Sequence, residues 1–289
     1  MNDSTRESLS YFGLFWRMFR AKKPLVPECL SFGEDKDLYL LYYEPAEPVG
    51  PADSVQAGSA AQDKTVLWVH GGGWNSSSPR AFDFVGQCIA GAGYPFISLG
   101  YRLSPKNKYP TQIEDVCVGY KAALDFLKKK GVASPRIVVT GSSAGAHLSS
   151  LLCYSPKVQA DYGVDVSNII GYIGIGGPYC FLEGQGWVLR TLLKQLFEKD
   201  YDRARGEPYA LMEKSGIPML LIQSEHDGLI DYACATRMAE KAASLGNRCE
   251  LHPVTGKRNT HSWYTAGMFM ESRRENETLD KFFSWIEGI

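Results

Sequence analysis

Hydrophobic and polar positions alternate along the chain in blocks that are typical of strands followed by helices. Short apolar runs precede glycine-rich loops, and longer segments with apolar residues at helical spacing come after them. The predicted strands lie at residues 37–43, 65–69, 94–99, 136–140, 168–175, 218–223 and 248–254. The predicted helices lie at residues 5–20, 79–92, 110–130, 232–245 and 279–286. This order predicts an α/β fold with a doubly wound, mainly parallel sheet, whose sites lie at the carboxyl ends of its strands.

Three segments depart from this rhythm and define the expected domain organisation. The chain has 289 residues, which suits one α/β domain spanning residues 1–289 with a small helical cap. Residues 179–210 form an insertion between two strands, which we expect to cover the site. Residues 1–30 carry an apolar helical stripe, which fits either a helix packed on the body or part of the cap. Residues 44–63 lack periodicity and are predicted to be a flexible loop.

Composition and charge exclude several classes of partner. Lys and Arg number 31 against 32 Asp and Glu, and the longest basic run is the three lysines at 128–130, so we expect no nucleic-acid partner. The seven scattered cysteines are typical of reduced thiols in a cytoplasmic protein. We see no signal peptide and no apolar run of membrane-spanning length, so we expect no membrane partner. The oligomeric state stays open.

A serine lies between a predicted strand and a helix-compatible run. The segment Gly-Ser-Ser-Ala-Gly at residues 141–145 follows the strand at 136–140, and Ser143 stands at its centre. Small flanking residues allow a strained turn that exposes the serine hydroxyl, which makes Ser143 the candidate nucleophile. The alternative is a tight turn without catalysis.

A second glycine-rich segment, His-Gly-Gly-Gly-Trp at residues 70–74, follows the strand at 65–69. Glycines let backbone N–H groups approach a carbonyl oxygen closely. We therefore predict that the N–H groups of Gly72, Gly73 and Ala144 form an oxyanion hole. The simpler interpretation of three glycines is a flexible loop.

The candidate base and acid occur near the end of the chain. His261 follows the loop after the last predicted strand, and the four other histidines occupy other kinds of position: His70, His147, His226 and His252. Asp227, at loop distance beyond a strand, is favoured as the acid that orients the imidazole. Asp231 is the rival but directly precedes a helical run, where it makes a good N-cap, and Glu225 is a weaker third candidate. The chain order Ser…Asp…His is that of α/β-hydrolases.

These motifs resemble the hormone-sensitive-lipase-like branch of the α/β-hydrolases, which contains carboxylesterases. The resemblance covers residues 64 to about 285 and rests on the segments at 70–74, 101–105, 110–115, 141–145 and 227–231. It implies the α/β-hydrolase fold with a cap, and it implies that Asp227 is catalytic. Ser142 stands where the family often has aspartate, and Ser262 follows the histidine where it often has glycine. The segments Ser-Ala-Gly-Ala-His at 143–147 and Gly-Pro-Tyr at 177–179 are similar to kynurenine formamidases and acetyl or feruloyl esterases.

We therefore expect a serine carboxylesterase that hydrolyses short-chain acyl esters through an acyl-enzyme intermediate, with no cofactor and no metal. The alternatives are an arylformamidase or a carbohydrate acetyl or feruloyl esterase with the same triad, a peptidase, a true lipase, and a non-catalytic ligand-binding protein on the hydrolase fold. Four aromatic residues are candidates for the substrate pocket, although the core is the commoner place for such side chains: Trp74, Tyr179, Trp187 and Trp263.

Overall fold

The computed structural model describes residues 3–20, 24–46, 63–182, 186–256 and 258–289. The flexible loop predicted at residues 44–63 lies outside this part of the chain, apart from its first three residues and its last. Of the helices in these ranges, none combines the length and the apolar character needed to cross a bilayer.

One eight-stranded sheet forms the centre of the protein. Its strands are β1 (Glu28–Ser31), β2 (Tyr39–Tyr43), β3 (Lys64–Val69), β4 (Phe96–Leu99), β5 (Arg136–Ser142), β6 (Ile169–Ile175), β7 (Met219–Ser224) and β8 (Cys249–Val254). Their order is β1-β2-β4-β3-β5-β6-β7-β8. Strands β3 to β8 pair in parallel, and β2 pairs antiparallel with β1 and β4. The predicted doubly wound, mainly parallel sheet is confirmed.

Helices cover both faces of the sheet. They are α1 (Asp3–Arg20), α2 (Asp83–Gly91), α3 (Thr111–Lys129), α4 (Ala144–Tyr154), α5 (Pro156–Tyr162), α6 (Trp187–Leu196), α7 (Pro208–Leu211), α8 (Ala233–Ser244), α9 (His261–Thr265) and α10 (Glu277–Glu287). Successive side chains of β3 enter opposite cores: Leu67 belongs to the core that contains residues of α3, α4 and α8, and Trp68 belongs to the core that contains residues of α2 and α10. Since both faces are buried, the central strands are mainly apolar, which made them easy to predict.

Strand β1 and helix α5 were absent from the predicted elements. All four residues of β1 are exposed at the sheet edge, so no burial pattern marks it in the sequence. Helix α5 did carry a signal: the Ser155 hydroxyl accepts from Val158 N at 3.2 Å, Pro156 follows it, and Gly163 ends the helix in the left-handed region. These are ordinary start and stop signals of a helix.

Two segments outside the strand–helix alternation lie near the carboxyl ends of the strands. Helix α1 packs against α9, with Glu7 and Leu14 buried and Leu9 and Phe12 exposed. Residues 179–210 contain α6, a 3₁₀ turn (Arg203–Gly206) and α7. The assignment of residues 1–30 and 179–210 as cap elements stays a prediction at this point.

Candidate active site

Ser143 occupies a strained turn between β5 and α4. Its φ of 52° and ψ of −119° lie in a region that residues other than glycine rarely adopt. Its N–H donates to Ile175 O at 2.8 Å. The neighbouring glycines allow this geometry. A Cβ on Gly145 would lie 1.9 Å from Val69 O, and one on Gly141 would lie 2.6 Å from Gly145 C. The turn therefore places Ser143 at the carboxyl edge of the sheet. Its backbone can pack this closely only because residues 141 and 145 have no side chain.

The glycine segment after β3 lies directly against this turn. A Cβ on Gly71 would lie 3.4 Å from Ser143 Cβ. Gly72 and Gly73 have φ of 109° and 59°, conformations that favour glycine. The carbonyl of Gly72 accepts from the N–H groups of the third and fourth residues after it, which closes a tight turn. Gly72 and Gly73 thus line the same cavity as Ser143, and Ala144, the third predicted oxyanion residue, directly follows Ser143 as the first residue of α4.

Two buried histidines near this segment have other partners. His70 Nδ1 lies 2.7 Å from Gly71 O, and its ring stacks on Tyr101 at a centroid distance of 4.2 Å. His147 Nε2 lies 2.7 Å from Gly206 O, and Trp74 Nε1 is 3.3 Å from His147 Nδ1. Burial lowers the pKa of each imidazole to about 4, so both are neutral at pH 7. Both hold loops in place.

His261 and Asp227 form a buried pair. His261 Nδ1 lies 2.7 Å from Asp227 Oδ2, with side chains only 3% and 0% exposed. The same carboxylate oxygen accepts from the hydroxyl of Tyr264 and, at 3.2 Å, from Gln223 Nε2. The imidazole is therefore held by a carboxylate whose own position is determined by two further donors, as a histidine base requires.

The second oxygen of Asp227 is fully engaged by backbone. Oδ1 accepts from Leu229 N at 2.7 Å and from Ile230 N at 2.8 Å. The rival Asp231 is exposed and accepts from the N–H of Ala233, the first residue of α8, at 2.9 Å, one position before the N-cap Tyr232. Glu225 is exposed as well. Of the three acids considered from the sequence, Asp227 is the one in contact with His261.

The pKa of His261 reflects opposing effects. Burial lowers it, whereas the charge and hydrogen bond of Asp227 and the charge of Glu7 raise it, and the net result is a pKa above the ordinary value of 6.5. The imidazolium that forms when His261 accepts a proton is thus stabilised by the acids around it.

Ser143 and His261 both line one cavity of about 510 Å³. The described residues that line it include no Asp, Glu, Lys or Arg, and most of its wall is apolar or aromatic. The large side chains of the wall come from α1, the glycine segment, a 3₁₀ turn (Pro79–Phe82), the start of α2, α6 and the loop after β7: Tyr11, Leu14, Trp74, Phe82, Phe84, Val188, Leu189, Leu192, Leu229 and Ile230. Such a cavity fits an uncharged, largely apolar ligand.

Of the four aromatic residues predicted for the pocket, Trp74 lies in the cavity wall and the other three lie elsewhere. Tyr179 is buried in the core beside Gly177 and Gly174, where glycines leave room for its ring. Trp187 is 72% exposed at the start of α6. Trp263 packs beneath the guanidinium of Arg17, 4.9 Å from its ring centroid. Helical phase places Trp187 of α6 and Trp263 of α9 away from the cavity, whereas Tyr179 lies in the loop after β6 and fills the space beside two glycines.

Three residues of the site were absent from the sequence prediction. Tyr264 follows His261 by three positions, so one helical turn brings both to Asp227. Gln223 is the penultimate residue of β7, four residues before Asp227. Glu7 accepts from His261 N, although 253 residues separate the two in the chain. The spacing of Tyr264 was a usable signal, whereas no local pattern connects Glu7 to the site.

Within the ranges that the structure describes, no group of three or more His, Cys, Asp or Glu side chains is arranged to hold a metal ion.

Comparison with known proteins places the chain among esterases. A family model described as BD-FAE matches residues 55–242, more than half of the chain. Ethyl acetate hydrolase of Pseudomonas putida is 25% identical over 273 residues, which cover 88% of this chain and 82% of that protein. Carboxylesterase NlhH of Mycobacterium tuberculosis is 33% identical over 88 residues, 30% of this chain and 28% of that protein. A structure of esterase B from Lactobacillus rhamnosis, inhibited by a tributyrin phosphonate, superposes with a TM-score of 0.77 at 18% identity, covering 99% of this chain and 93% of that one.

Proposed function

Because the chain belongs to the BD-FAE family and is a carboxylic ester hydrolase of the hormone-sensitive-lipase-like α/β-hydrolase branch, we propose that it cleaves short-chain acyl esters with a Ser143–His261–Asp227 triad. The observation that carries this proposal is the buried His261–Asp227 pair, 2.7 Å between Nδ1 and Oδ2, in a cavity that Ser143 also lines. Nucleophile, base and orienting acid are the three groups that acyl transfer through serine needs.

In the proposed reaction the Ser143 hydroxyl oxygen attacks the ester carbonyl carbon while His261 Nε2 accepts the hydroxyl proton. The negative charge that develops on the carbonyl oxygen is stabilised by the N–H groups of Gly72, Gly73 and Ala144. The Ala144 N–H is suitable because it lies in the first turn of α4, where backbone donors lack intrahelical acceptors. Each such donor contributes about 2.7–4 kcal/mol to the transition state.

Collapse of the tetrahedral intermediate breaks the bond to the alcohol, which leaves with the proton from His261. Water then attacks the acyl-enzyme, with His261 as base again, and releases the carboxylic acid and the free Ser143 hydroxyl. Asp227 keeps the Nδ1 proton in place throughout, so that Nε2 faces the reaction as an acceptor.

The chemistry of the cavity wall supports a neutral, apolar acyl ester as the substrate class. Formylkynurenine carries a charged ammonium and a carboxylate, and burying either without a partner is costly. The described wall contains no Asp, Glu, Lys or Arg to pair with them. A sugar ester would present several hydroxyl groups to a wall dominated by Leu, Ile, Phe and Trp side chains. We therefore rank the arylformamidase and carbohydrate esterase alternatives below the simple ester.

We propose that residues 1–30 and 179–210 act as the cap of this site. Tyr11 and Leu14 of α1 contribute to the wall, and so do Val188, Leu189 and Leu192 of α6. A Cβ on Gly73 would lie 2.9 Å from a methyl carbon of Leu192, so α6 also packs on the oxyanion segment. The dispersed cysteines further support a cytoplasmic location, and the proposed partner is a small ester.

Replacement of Ser143 by alanine tests the nucleophile. The matched control is Ser150→Ala, since Ser150 is a buried serine of the same helix whose hydroxyl bonds to His147 O at 2.8 Å. We expect Ser143→Ala to lose almost all hydrolysis of p-nitrophenyl acetate and all labelling by a fluorophosphonate, and Ser150→Ala to keep both. Labelling of Ser143→Ala at the wild-type rate would refute the assignment.

Substrate rates on the wild-type protein separate the alternatives. We expect p-nitrophenyl esters from acetate to decanoate to show their highest kcat/KM at short chains, with formylkynurenine and acetylated xylan cleaved far more slowly. A preference for either of the latter would replace the ester by that substrate. Absence of both hydrolysis and labelling would favour a non-catalytic ligand-binding protein.

A further inference from the structure

Glu7, on the N-terminal helix, contacts the backbone of the proposed base. Its Oε2 accepts from His261 N and its Oε1 accepts from Ser262 N, both at 2.7 Å. The residue is 3% exposed, so this carboxylate has been removed from water to make these two bonds. Burying a carboxylate costs free energy unless hydrogen bonds or opposite charges offset the loss of hydration, so this contact is expected to have a role.

The neighbours of Glu7 on α1 bind the same short stretch. Ser10 Oγ lies 2.7 Å from Thr260 Oγ1 and accepts from Ser262 Oγ at 2.8 Å. Arg6 Nη2 donates to Asn259 Oδ1. Residues 6, 7 and 10 share one face of the helix, because positions three and four apart are neighbours there. This face of α1 therefore holds four consecutive residues, 259–262.

The position of the imidazole depends on this stretch. His261 is the first residue of α9 and comes after a loop whose residues Thr255, Gly256 and Arg258 are exposed. The first N–H groups of a helix have no intrahelical acceptor, and a carboxylate is electrostatically favourable at that end. Glu7 satisfies two of these groups at once. It thereby determines where the His261 backbone lies and hence where the ring meets Asp227 and the cavity.

Four titratable groups face His261 from the elements packed around it. Asp227, after β7, and Glu7, on α1, are the two acids whose charges raise its pKa, against the effect of burial. Tyr264, on α9, bonds to Asp227, and the pKa of its phenol is raised well above the ordinary value by burial and by that acid. Tyr11, on α1, has its pKa raised by burial, Glu7 and Asp227. Both tyrosines are neutral in the working pH range, so the charge balance is set by the two acids.

We propose that Glu7 is a positioning residue for catalysis, which holds the backbone of His261 in register and supplies a second negative charge behind the imidazolium. The active site is then incomplete without α1. This inference rests on the proposed triad, because it assigns Glu7 a role only through the action of His261 as base.

Replacement of Glu7 by glutamine keeps the shape but removes the charge, and it turns one acceptor into a donor that faces a backbone N–H. We expect kcat for p-nitrophenyl acetate to fall about 10- to 100-fold, as for a small misplacement of a catalytic group, with KM changed less than about twofold. The acidic limb of the kcat/KM profile should move to lower pH, since one of the charges that raise the pKa of His261 is gone.

Glu271→Gln is the matched control. The Glu271 side chain is 3% exposed and forms ion pairs with Arg17 of α1 and with Arg258, so it also connects α1 to the body but lies outside the catalytic cavity. We expect this variant to lower the melting temperature as much as Glu7→Gln does, yet to keep wild-type kcat and the wild-type acidic limb. Equal kinetic behaviour of the two glutamine variants, whether both wild type or both impaired, would overturn the inference.

Glu7→Asp provides a second test if the glutamine variant does not fold. It keeps the charge but is shorter by one methylene, so it cannot reach both N–H groups. We expect a lower kcat with the acidic limb unmoved, and wild-type kcat would overturn the positioning role. The wild-type protein distinguishes failure of the Glu7 proposal from failure of the proposed triad. If it shows neither hydrolysis nor fluorophosphonate labelling, the triad itself is refuted.

Discussion

Asp227→Asn is the substitution for which the structure makes the sharpest prediction. The carboxylate accepts hydrogen bonds on both oxygens, from three side chains at Oδ2 and two backbone N–H groups at Oδ1. An asparagine must place its NH₂ group at one of these two positions. In either position the NH₂ group faces groups that donate to Asp227 in the native protein. No rotamer of the amide therefore reproduces the native bonds.

With the amide nitrogen at the Oδ2 position, His261 Nδ1 must become the acceptor and Nε2 then carries the proton. An imidazole in that tautomer cannot accept the Ser143 proton. With the nitrogen at Oδ1 instead, it opposes Leu229 N and Ile230 N, which lie 2.7 and 2.8 Å from that position. That orientation leaves two backbone donors unsatisfied at about 1–3 kcal/mol each, so the tautomer error is the favoured outcome.

We therefore expect kcat of Asp227→Asn to fall by about 10⁴, which corresponds to about 5 kcal/mol of transition-state stabilisation, with little change in melting temperature. Steady-state hydrolysis of p-nitrophenyl acetate measures the first quantity and thermal unfolding the second. The matched control is Asp231→Asn four residues later, where the side-chain oxygen of asparagine can accept the same hydrogen bond from Ala233 N. Retention of more than about a tenth of wild-type kcat in Asp227→Asn, or an equal loss in Asp231→Asn, would refute this reasoning.

Three further predictions concern pH, the serine turn and an ion pair. Activity should decline as the pH falls through the raised pKa of His261, because the imidazolium cannot accept a proton; a pH series of kcat/KM whose acidic limb lies below pH 6.5 would contradict this. Gly145→Ala places a Cβ 1.9 Å from Val69 O, so we expect it to lose about 3 kcal/mol or more of unfolding free energy in urea titrations, whereas a stable, active variant would show that the turn can open. Arg102→Ala removes the bidentate partner of Asp115, whose side chain is 3% exposed, and should cost about 2–3 kcal/mol in the same titration, with Lys121→Ala as the surface control.

The strands that carry the site were predictable because burial on both faces leaves an unmistakable apolar run. Strands β3 and β5 are paired in the middle of the sheet, and each is followed by a glycine-rich segment. The same logic failed for β1, which lies at the edge with all four residues exposed. Apolar periodicity in a sequence reflects the burial of side chains, so an element with few buried side chains is hard to predict.

The two halves of the proposed site also differ in how far the sequence could predict them. Ser143 and the glycines around it act through local backbone geometry, and that geometry restricts residue type at adjacent positions. The choice of Asp227 over Asp231 rested on spacing, and the contact with His261 could be seen only once β7 and β8 were paired. The aromatic pocket candidates were mostly misplaced, because a large apolar side chain satisfies the core and a cavity wall equally well.

The main alternation of strands and helices, the serine turn and the glycine segment beside it could be recognised from the sequence, since each depends on residues that are neighbours in the chain. Three features depend on the packing of distant segments: the acid that contacts the imidazole, the side chains that form the cavity wall, and the bond from His261 N to Glu7, 254 positions away from it in the chain. Such contacts arise from how packed elements close on one another, and a hydrogen bond between distant segments imposes no periodicity or spacing that could be recognised beforehand.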